Sequence, residues 1–125
     1  MKKLIQSRLH IDNTPTGRGN CYPTALNCFM ELDNIVEFQE YYTHSDIKWM
    51  EVMMNWISEN GWELYSVKGH DDFTKDEYYL VSGISPRNKN ITHIVIYKNR
   101  KLWHDPHPDN TGILTEDLFY AMNKL

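Results

Sequence analysis

Three residues whose side chains can cooperate in nucleophilic catalysis occur along this sequence, in the order Cys21, His93 and Asp105. A thiol attacks a carbonyl carbon as the thiolate, and both a helix N-terminus and a nearby imidazolium stabilise that anion. The histidine that exchanges the proton is in turn oriented by a third group, commonly a carboxylate. These residues therefore predict a Cys-His-Asp site, provided that the fold brings them together.

The cysteine lies where a loop changes into a helix. Residues 12–20 are rich in Asp, Asn, Thr, Pro and Gly, which favour turns. After Cys21, Pro23 suits the first turn of a helix, and the apolar residues up to Leu32 recur at helical spacing. We expect Cys21 at the N-terminus of this helix, whereas Cys28 falls on its apolar face. The alternative for Cys21 is a buried thiol that only fills space, as many free cysteines do.

The histidine and the aspartate lie on a predicted hairpin. An apolar, β-branched run ends at Tyr97, a three-residue turn follows, and the return strand stops at Pro106. With the turn centred near Asn99, we expect His93 and Asp105 to lie about opposite each other across the two strands. Each residue also has a simpler interpretation: His93 as a hydrogen-bonded core histidine, and Asp105 as an aspartate that starts a turn before proline.

The remaining patterns indicate a single domain that covers residues 1–125. Two helices followed by three or four antiparallel strands favour the α+β class over a parallel sheet. We expect an N-terminal helix carrying Cys21 to pack on an antiparallel sheet carrying His93 and Asp105. The predicted elements are helices from residue 21 and over 46–59, strands over 62–67, 78–84, 91–97 and 101–105, and a short helix after Thr115.

Charge and hydropathy disfavour several other classes of protein. The 125 residues include 13 Lys and Arg against 17 Asp and Glu, and the net charge of −4 gives no basic stripe for nucleic acid. We expect no signal peptide, because the apolar residues after Met1-Lys2-Lys3 are too few, and no membrane span, which requires an apolar run of roughly 18 residues. We expect a cytoplasmic protein with free thiols, in a bacterial cell or a phage-infected host.

The ordered set of residues resembles the papain-like cysteine peptidases, and within them the bacteriocin-processing peptidases that cut double-glycine leader peptides. Their pattern is a small polar residue and Cys at a helix start, a His on a later strand and then Asp-Pro. Here these are Asn20-Cys21, His93 and Asp105-Pro106. A group of small phage and bacterial proteins of the same fold is also similar. Its tail reads Gly-x-Ser-Pro-Arg, found here at 83–87, and His-Asp-Pro-His-Pro, found here at 104–108.

The resemblance extends from about Gly17 to Pro106 and implies a papain-like fold. It implies that Cys21 is the nucleophile, that His93 is the general base and acid, and that Asp105 orients His93. It also implies that the backbone N–H of Cys21 supplies one donor to the oxyanion.

The second oxyanion donor is left open by the sequence. The family places a Gln about six residues before the nucleophile, where it donates to the oxyanion, but here that position is Pro15. Asn20 and Asn13 are the candidates to replace it, and Gln6 is a more remote one. The family also usually has Gly directly after the nucleophile, where this sequence has Tyr22.

The turns near 83–87 and 106–112 are expected to frame a cleft. A zinc site would need three or four converging ligands, and Cys21, His93, Asp105 and His107 could in principle supply them. Neighbouring strand residues point to opposite faces, however, and neither a CxxC nor an HExxH motif is present. We therefore expect no metal and no cofactor. The side chains expected at the rim of the cleft are Tyr22, Ser85, Arg87, His104 and His107, with His104 facing outward.

These observations together predict a cysteine hydrolase that acts on a peptide, an isopeptide or a small amide through a thioester. Two alternatives stay open. One is a weakly active or inactive binding protein on the same scaffold, for example a phage-encoded one, which sequesters a host factor. The other is an acyltransferase or transglutaminase-like enzyme, which would use the same residues but prefer an amine to water.

Overall fold

A computed structural model describes residues 1–11, 19–33 and 46–125 of the chain. It is an α+β structure in which an N-terminal helix packs on a five-stranded antiparallel sheet, as the sequence predicts for the fold class. No helix in these three segments is both long enough and apolar enough to cross a membrane. The elements are α1 (Cys21–Met30), α2 (Asp46–Glu59), β1 (Trp62–Val67), β2 (Tyr78–Ile84), β3 (Thr92–Lys98), β4 (Lys101–His104) and β5 (Leu118–Lys124), with a 3-10 turn at His70–Asp72.

The sheet has the strand order β1-β5-β2-β3-β4, and every neighbouring pair is antiparallel. Strand β3, which carries His93, therefore lies between β2 and the edge strand β4. Asn99 and Arg100 both have positive φ angles, of 53° and 63°, in the tight turn that joins β3 to β4. The predicted hairpin is thus present, and it brings the end of β4 alongside β3.

The short helix predicted after Thr115 is wrong, because this segment is strand β5. It pairs with β1 on one side and with β2 on the other, with Leu64 opposite Met122 and Leu80 opposite Tyr120. Its apolar residues serve both faces of the sheet: Phe119 packs on one side and Met122 on the other. The apolar residues of such a short run show neither the helical nor the strand period clearly. Pairing with β1 and β2 therefore decided that the segment is a strand.

Each face of the sheet has its own cluster of buried side chains. On one face, Leu26 and Phe29 of α1 pack with Ile94 and Ile96 of β3. On the other, Phe73 from the loop after β1 stacks on Tyr79, with ring centroids 4.0 Å apart. Helix α1 is thereby fixed against the strand that carries the predicted histidine.

The N-terminal segment, residues 2–8, lies between α1 and the end of β4. His104 donates a hydrogen bond from Nε2 to the Leu4 carbonyl at 2.6 Å, and the Gln6 N–H donates to the Pro106 carbonyl at 2.8 Å. On the helix side, the Asn20 N–H donates to the Arg8 carbonyl at 3.1 Å. The segment therefore ties the start of α1 to the residues that follow β4.

Candidate active site

Cys21 is the first residue of α1, as predicted, and its side chain is partly exposed. No acidic residue lies in the first turn of this helix. The unpaired backbone N–H groups at a helix N-terminus favour negative charge. Cys21 therefore lies at the positive end of the helix dipole, and no carboxylate of the same turn is close to it. The predicted loop before Cys21 lies mostly outside the described residues, at 12–18.

His93 and Asp105 form a buried ion pair, with Nε2 of the imidazole 2.6 Å from Oδ1 of the carboxylate. The His93 side chain is 4% exposed and that of Asp105 is fully buried. The carboxylate also accepts the backbone N–H groups of His107 and Gly112, each at 2.8 Å. Burial raises the pKa of Asp105, but these bonds and the charge of His93 outweigh it and lower that pKa.

The register of the β3–β4 hairpin differs from the prediction because β4 contains one irregularity, a β-bulge. Tyr97 pairs with Leu102 and Ile96 with His104, which leaves an extra residue in β4 between the two pairs. Extending this register by one residue sets Asp105 beside Val95, so that His93 lies diagonally from Asp105 and not opposite it. The two side chains still meet, because diagonal neighbours on one face are within reach of each other.

His93 is also coupled to Cys21. Burial lowers the pKa of His93, but its hydrogen bonds to Asp105 and to the Cys21 side chain outweigh this and raise the pKa to about 9. Because Nε2 is bonded to Asp105, Nδ1 is the ring nitrogen that remains for the thiol. The fold thus brings together all three residues on which the sequence analysis centred.

Cys21 and His93 lie in a groove of about 830 Å³. Of the five predicted rim residues, Tyr22, Arg87 and His107 line it, whereas Ser85 and His104 do not. The side chains that form the groove are Gln6, Leu9, His10, Ile11, Cys21, Tyr22, Trp49, Met50, Arg87, Asn88, Asn90, Ile91, Thr92, His93 and His107, together with the backbone at Gly19.

The two rim predictions that differ have clear physical reasons. His104 does not face outward: it is 6% exposed, because its ring holds the N-terminal segment through the Leu4 carbonyl. Ser85 is fully buried, and its hydroxyl accepts the Arg87 N–H at 3.2 Å. Neither side chain is therefore exposed to a ligand in the groove.

The order of preference predicted from the sequence for the candidates for the second oxyanion donor differs from their positions in the structure. Asn20 is fully buried; its Oδ1 accepts the Arg8 N–H at 3.0 Å, and its Nδ2 donates to the Ser7 hydroxyl at 3.0 Å. Asn20 therefore fastens the N-terminal segment and does not line the groove. Asn13 lies outside the described residues. Gln6, the most remote candidate, does line the groove.

The Gln6 side chain lies between two backbone segments, at Arg8 and at Gly19. Its side chain is buried, and its Nε2 donates one hydrogen bond to the Arg8 carbonyl at 2.8 Å. A Cβ atom added at Gly19 would lie 3.1 Å from this nitrogen, so that the chain just before Cys21 passes directly against it. A side-chain amide has two N–H groups, and the second is left for another acceptor.

Tyr22 forms part of the groove wall next to the thiol. Its ring packs edge-on against Trp49, with centroids 5.4 Å apart. Burial raises the pKa of Tyr22 to about 12, and the hydroxyl is hydrogen-bonded with Ser82 and Thr92. Tyr22 is therefore a protonated, fixed aromatic surface beside Cys21.

Within residues 1–11, 19–33 and 46–125, no three or more His, Cys, Asp or Glu side chains are grouped as metal ligands would be. No protein-family model matches the chain, and neither curated proteins nor solved structures include one that is significantly similar to it. The geometry of the groove is therefore the basis for assigning a function.

Proposed function

We propose that this protein is a papain-like cysteine hydrolase in which Cys21, His93 and Asp105 act on a peptide, an isopeptide or a small amide. The observation that carries the proposal is the buried His93–Asp105 ion pair, in which the imidazole also makes a hydrogen bond with the Cys21 side chain. An ion pair with a purely structural role usually contacts only other core residues. The imidazole of this pair instead contacts a partly exposed thiol, which lies at a helix N-terminus inside a groove. A thiol, a base and an orienting carboxylate in contact are the arrangement required for acyl transfer.

The proposed reaction has two halves. The Cys21 thiolate attacks the carbonyl carbon and forms a C–S bond, and the tetrahedral intermediate then loses the amine, which takes a proton from the His93 imidazolium. In the second half, neutral His93 takes a proton from water, the resulting hydroxide attacks the thioester, and Cys21 leaves as the thiolate. Asp105 holds the ring through Nε2 during both halves, so that Nδ1 stays directed at the sulfur.

Two donors are assigned to the oxyanion of the intermediate. The Cys21 N–H is the first of the helix, where no intrahelical acceptor exists. We assign the second donor to Nε2 of Gln6 in place of Asn20, because Gln6 lines the groove while the Asn20 amide is bonded on both of its atoms. Removal of a donor of this kind typically lowers the rate about 10²–10³-fold.

An activated ester tests the acyl-transfer step without knowledge of the natural substrate. With p-nitrophenyl acetate, we expect a rapid burst of about one p-nitrophenolate per chain, followed by slower turnover as the thioester hydrolyses. The burst should disappear in Cys21→Ala and persist in Cys28→Ala, since Cys28 is buried in the core. A burst that survives in Cys21→Ala, or that is absent from the unaltered protein, would refute the proposal.

The same assay separates the alternatives. Addition of hydroxylamine should trap the acetyl group as a hydroxamate, and a primary amine should trap it as an amide. A strong preference for the amine over water would indicate a transferase. A binding protein without catalysis would give no burst, and its Cys21 would react with iodoacetamide no faster than N-acetylcysteine at the same pH.

A further inference from the structure

One end of the groove is built around Arg87, whose guanidinium contacts the other described residues through one nitrogen. Nη1 donates to both carboxylate oxygens of Asp109 at 3.0 Å and to the Thr111 hydroxyl at 3.1 Å. Burial raises the pKa of Asp109, but its bonds to Thr111 and Arg87 outweigh this and lower it. Among the described residues, Nε and Nη2 of Arg87 have no partner, although the side chain is 29% exposed and lines the groove.

His107 lies beside this arginine and presents a fixed donor. Its Nδ1 lies 3.1 Å from both the backbone N–H and the Oδ1 of Asp109. We assign Nδ1 as the acceptor of that N–H, and the neutral ring then carries its proton on Nε2. Burial and the positive charge of Arg87 lower the pKa of His107, which keeps the ring neutral at physiological pH. Its centroid is 6.3 Å from that of His93, so this donor is next to the proposed reaction centre.

The other polar residues of this end are Asn88 and Asn90. The Asn90 N–H donates to Oδ1 of Asn88 at 2.9 Å, which occupies the acceptor of Asn88 and leaves its amide N–H groups available. Of the described side chains that line the groove, none is a carboxylate, although 17 of the 125 residues are Asp or Glu. We call Arg87, Asn88, Asn90 and His107 the donor end of the groove.

We propose that the donor end binds a carboxylate of the substrate, so that the molecules cleaved at Cys21 are acyl compounds or amides with a free carboxylate near the scissile bond. The inference rests on the function proposed above for its reaction, but the binding itself requires no reactive thiol. The planar fork formed by two nitrogens of a guanidinium matches the two oxygens of a carboxylate, and a neighbouring imidazole N–H adds a third bond. A neutral carboxamide offers one acceptor oxygen and no charge, and would therefore satisfy fewer of these donors.

Protection of Cys21 against iodoacetamide tests this with defined probes. The ligands are N-acetylglycine, N-acetyl-β-alanine and N-acetyl-4-aminobutyrate, in which the carboxylate lies progressively further from the amide, and each is compared with its own carboxamide. For each ligand we measure the half-protecting concentration, at which the rate of Cys21 labelling falls to one half. For at least one acid we expect this concentration to be about tenfold lower than for its carboxamide, as a charge-assisted hydrogen bond implies. Equal protection by every acid and its carboxamide, or protection by none, would overturn the inference. Protection by inorganic phosphate equal to that by the best acid would also overturn it.

Two substitutions in the donor end and one control outside it show whether the donor end causes the effect. Arg87→Met should raise the half-protecting concentration of the acid to that of the carboxamide. Lys89→Met, two residues further along the same loop and not in the groove, should leave it unchanged. Because Arg87 also anchors Asp109, His107→Phe provides an independent variant that keeps a ring and removes the Nε2 donor. A preference for the acid that survives in both Arg87→Met and His107→Phe contradicts the inference.

Binding to the Cys21→Ala protein, followed by NMR titration or calorimetry, separates this inference from the proposed reaction. If the acids bind Cys21→Ala about tenfold better than the carboxamides but no acyl burst is found, the binding site stands and the hydrolase proposal fails. If a burst is found but acids and carboxamides bind alike, the hydrolase proposal stands and the carboxylate site fails.

Discussion

The carboxylate of Asp105 lies 2.6 Å from Nε2 of His93, with both side chains almost entirely removed from solvent. An isolated buried charge would be strongly destabilising, and the pair is tolerated because each charge neutralises the other and the carboxylate has two further N–H donors. The pair therefore holds the imidazole as a cation in a fixed orientation, and several consequences can be measured.

The first prediction concerns the reactivity of Cys21 at mildly acidic pH. Because the pKa of His93 is raised to about 9, the imidazolium beside the thiol is present at pH 6 and stabilises a thiolate. We expect iodoacetamide to label Cys21 of the Cys28→Ala protein faster than N-acetylcysteine at pH 6, and His93→Ala to slow this about 10²-fold. His70→Asn, which removes an imidazole outside the groove, serves as the matched control. Equal labelling rates in His93→Ala and the control would contradict a thiolate–imidazolium pair.

The second prediction concerns stability as a function of pH. The pKa of His93 rises from about 6.5 in the unfolded chain to about 9 in the folded protein, so the folded state binds this proton more tightly. The resulting stabilisation is complete below pH 6.5 and is lost as the pH rises through about 9. The free energy of unfolding then decreases by about 3 kcal/mol at most. The pKa of Asp105 is lowered, so its contribution is present above about pH 4 and is lost on further acidification.

Urea unfolding at a series of pH values between 5 and 9.5 measures this effect. We expect the free energy of unfolding to be highest between about pH 4 and 6.5 and to decrease towards pH 9. In Asp105→Asn the protein should be less stable at pH 6, and the decrease between pH 6.5 and 9 should be much smaller, because the carboxylate that raises the pKa of His93 is gone. A decrease of the same size in both proteins would show that other groups cause it.

The third prediction separates oxyanion stabilisation from thiol activation. Gln6→Met preserves the volume of the side chain but removes the Nε2 donor, and should slow acylation by p-nitrophenyl acetate about 10²-fold. The same variant should leave alkylation by iodoacetamide nearly unchanged, because attack on a methylene carbon creates no oxyanion. Ile5→Ala changes an exposed neighbour outside the groove and should alter neither rate. A parallel loss of both rates in Gln6→Met would indicate a structural role for Gln6.

The fourth prediction concerns Gly83, which lies directly opposite His93 in the β2–β3 pair. A Cβ atom at this position would lie 1.7 Å from the Thr115 carbonyl oxygen, so the chain leading into β5 passes too close for any side chain. Gly83→Ala should therefore destabilise the protein by at least about 3 kcal/mol, at the upper end of overpacking effects. Gly69→Ala is the matched control, because a Cβ there meets nothing within 4 Å. Similar midpoints of thermal unfolding for the two variants would contradict this packing.

Local patterns in the sequence determined the separate parts of the structure. Turn-forming residues followed by Pro23 and an apolar stripe predict a helix that starts at Cys21, and a continuous run of apolar, β-branched residues predicts β3. The same patterns placed His93 and Asp105 on one hairpin. They failed for β5, because residues 118–124 carry apolar side chains for both faces and only strand partners fix their conformation.

Only the tertiary structure decided which groups meet around Cys21. The irregularity in β4 moved Asp105 to the diagonal of His93, and packing of α1 on β3 set the thiol beside the imidazole. Gln6 entered the groove through hydrogen bonds that the N-terminal segment makes with residues far along the chain, such as Pro106. The sequence by itself determined which chemistry was available, because that depends on residue type and local conformation. The groove around it depended on contacts between distant segments, which no local pattern encodes.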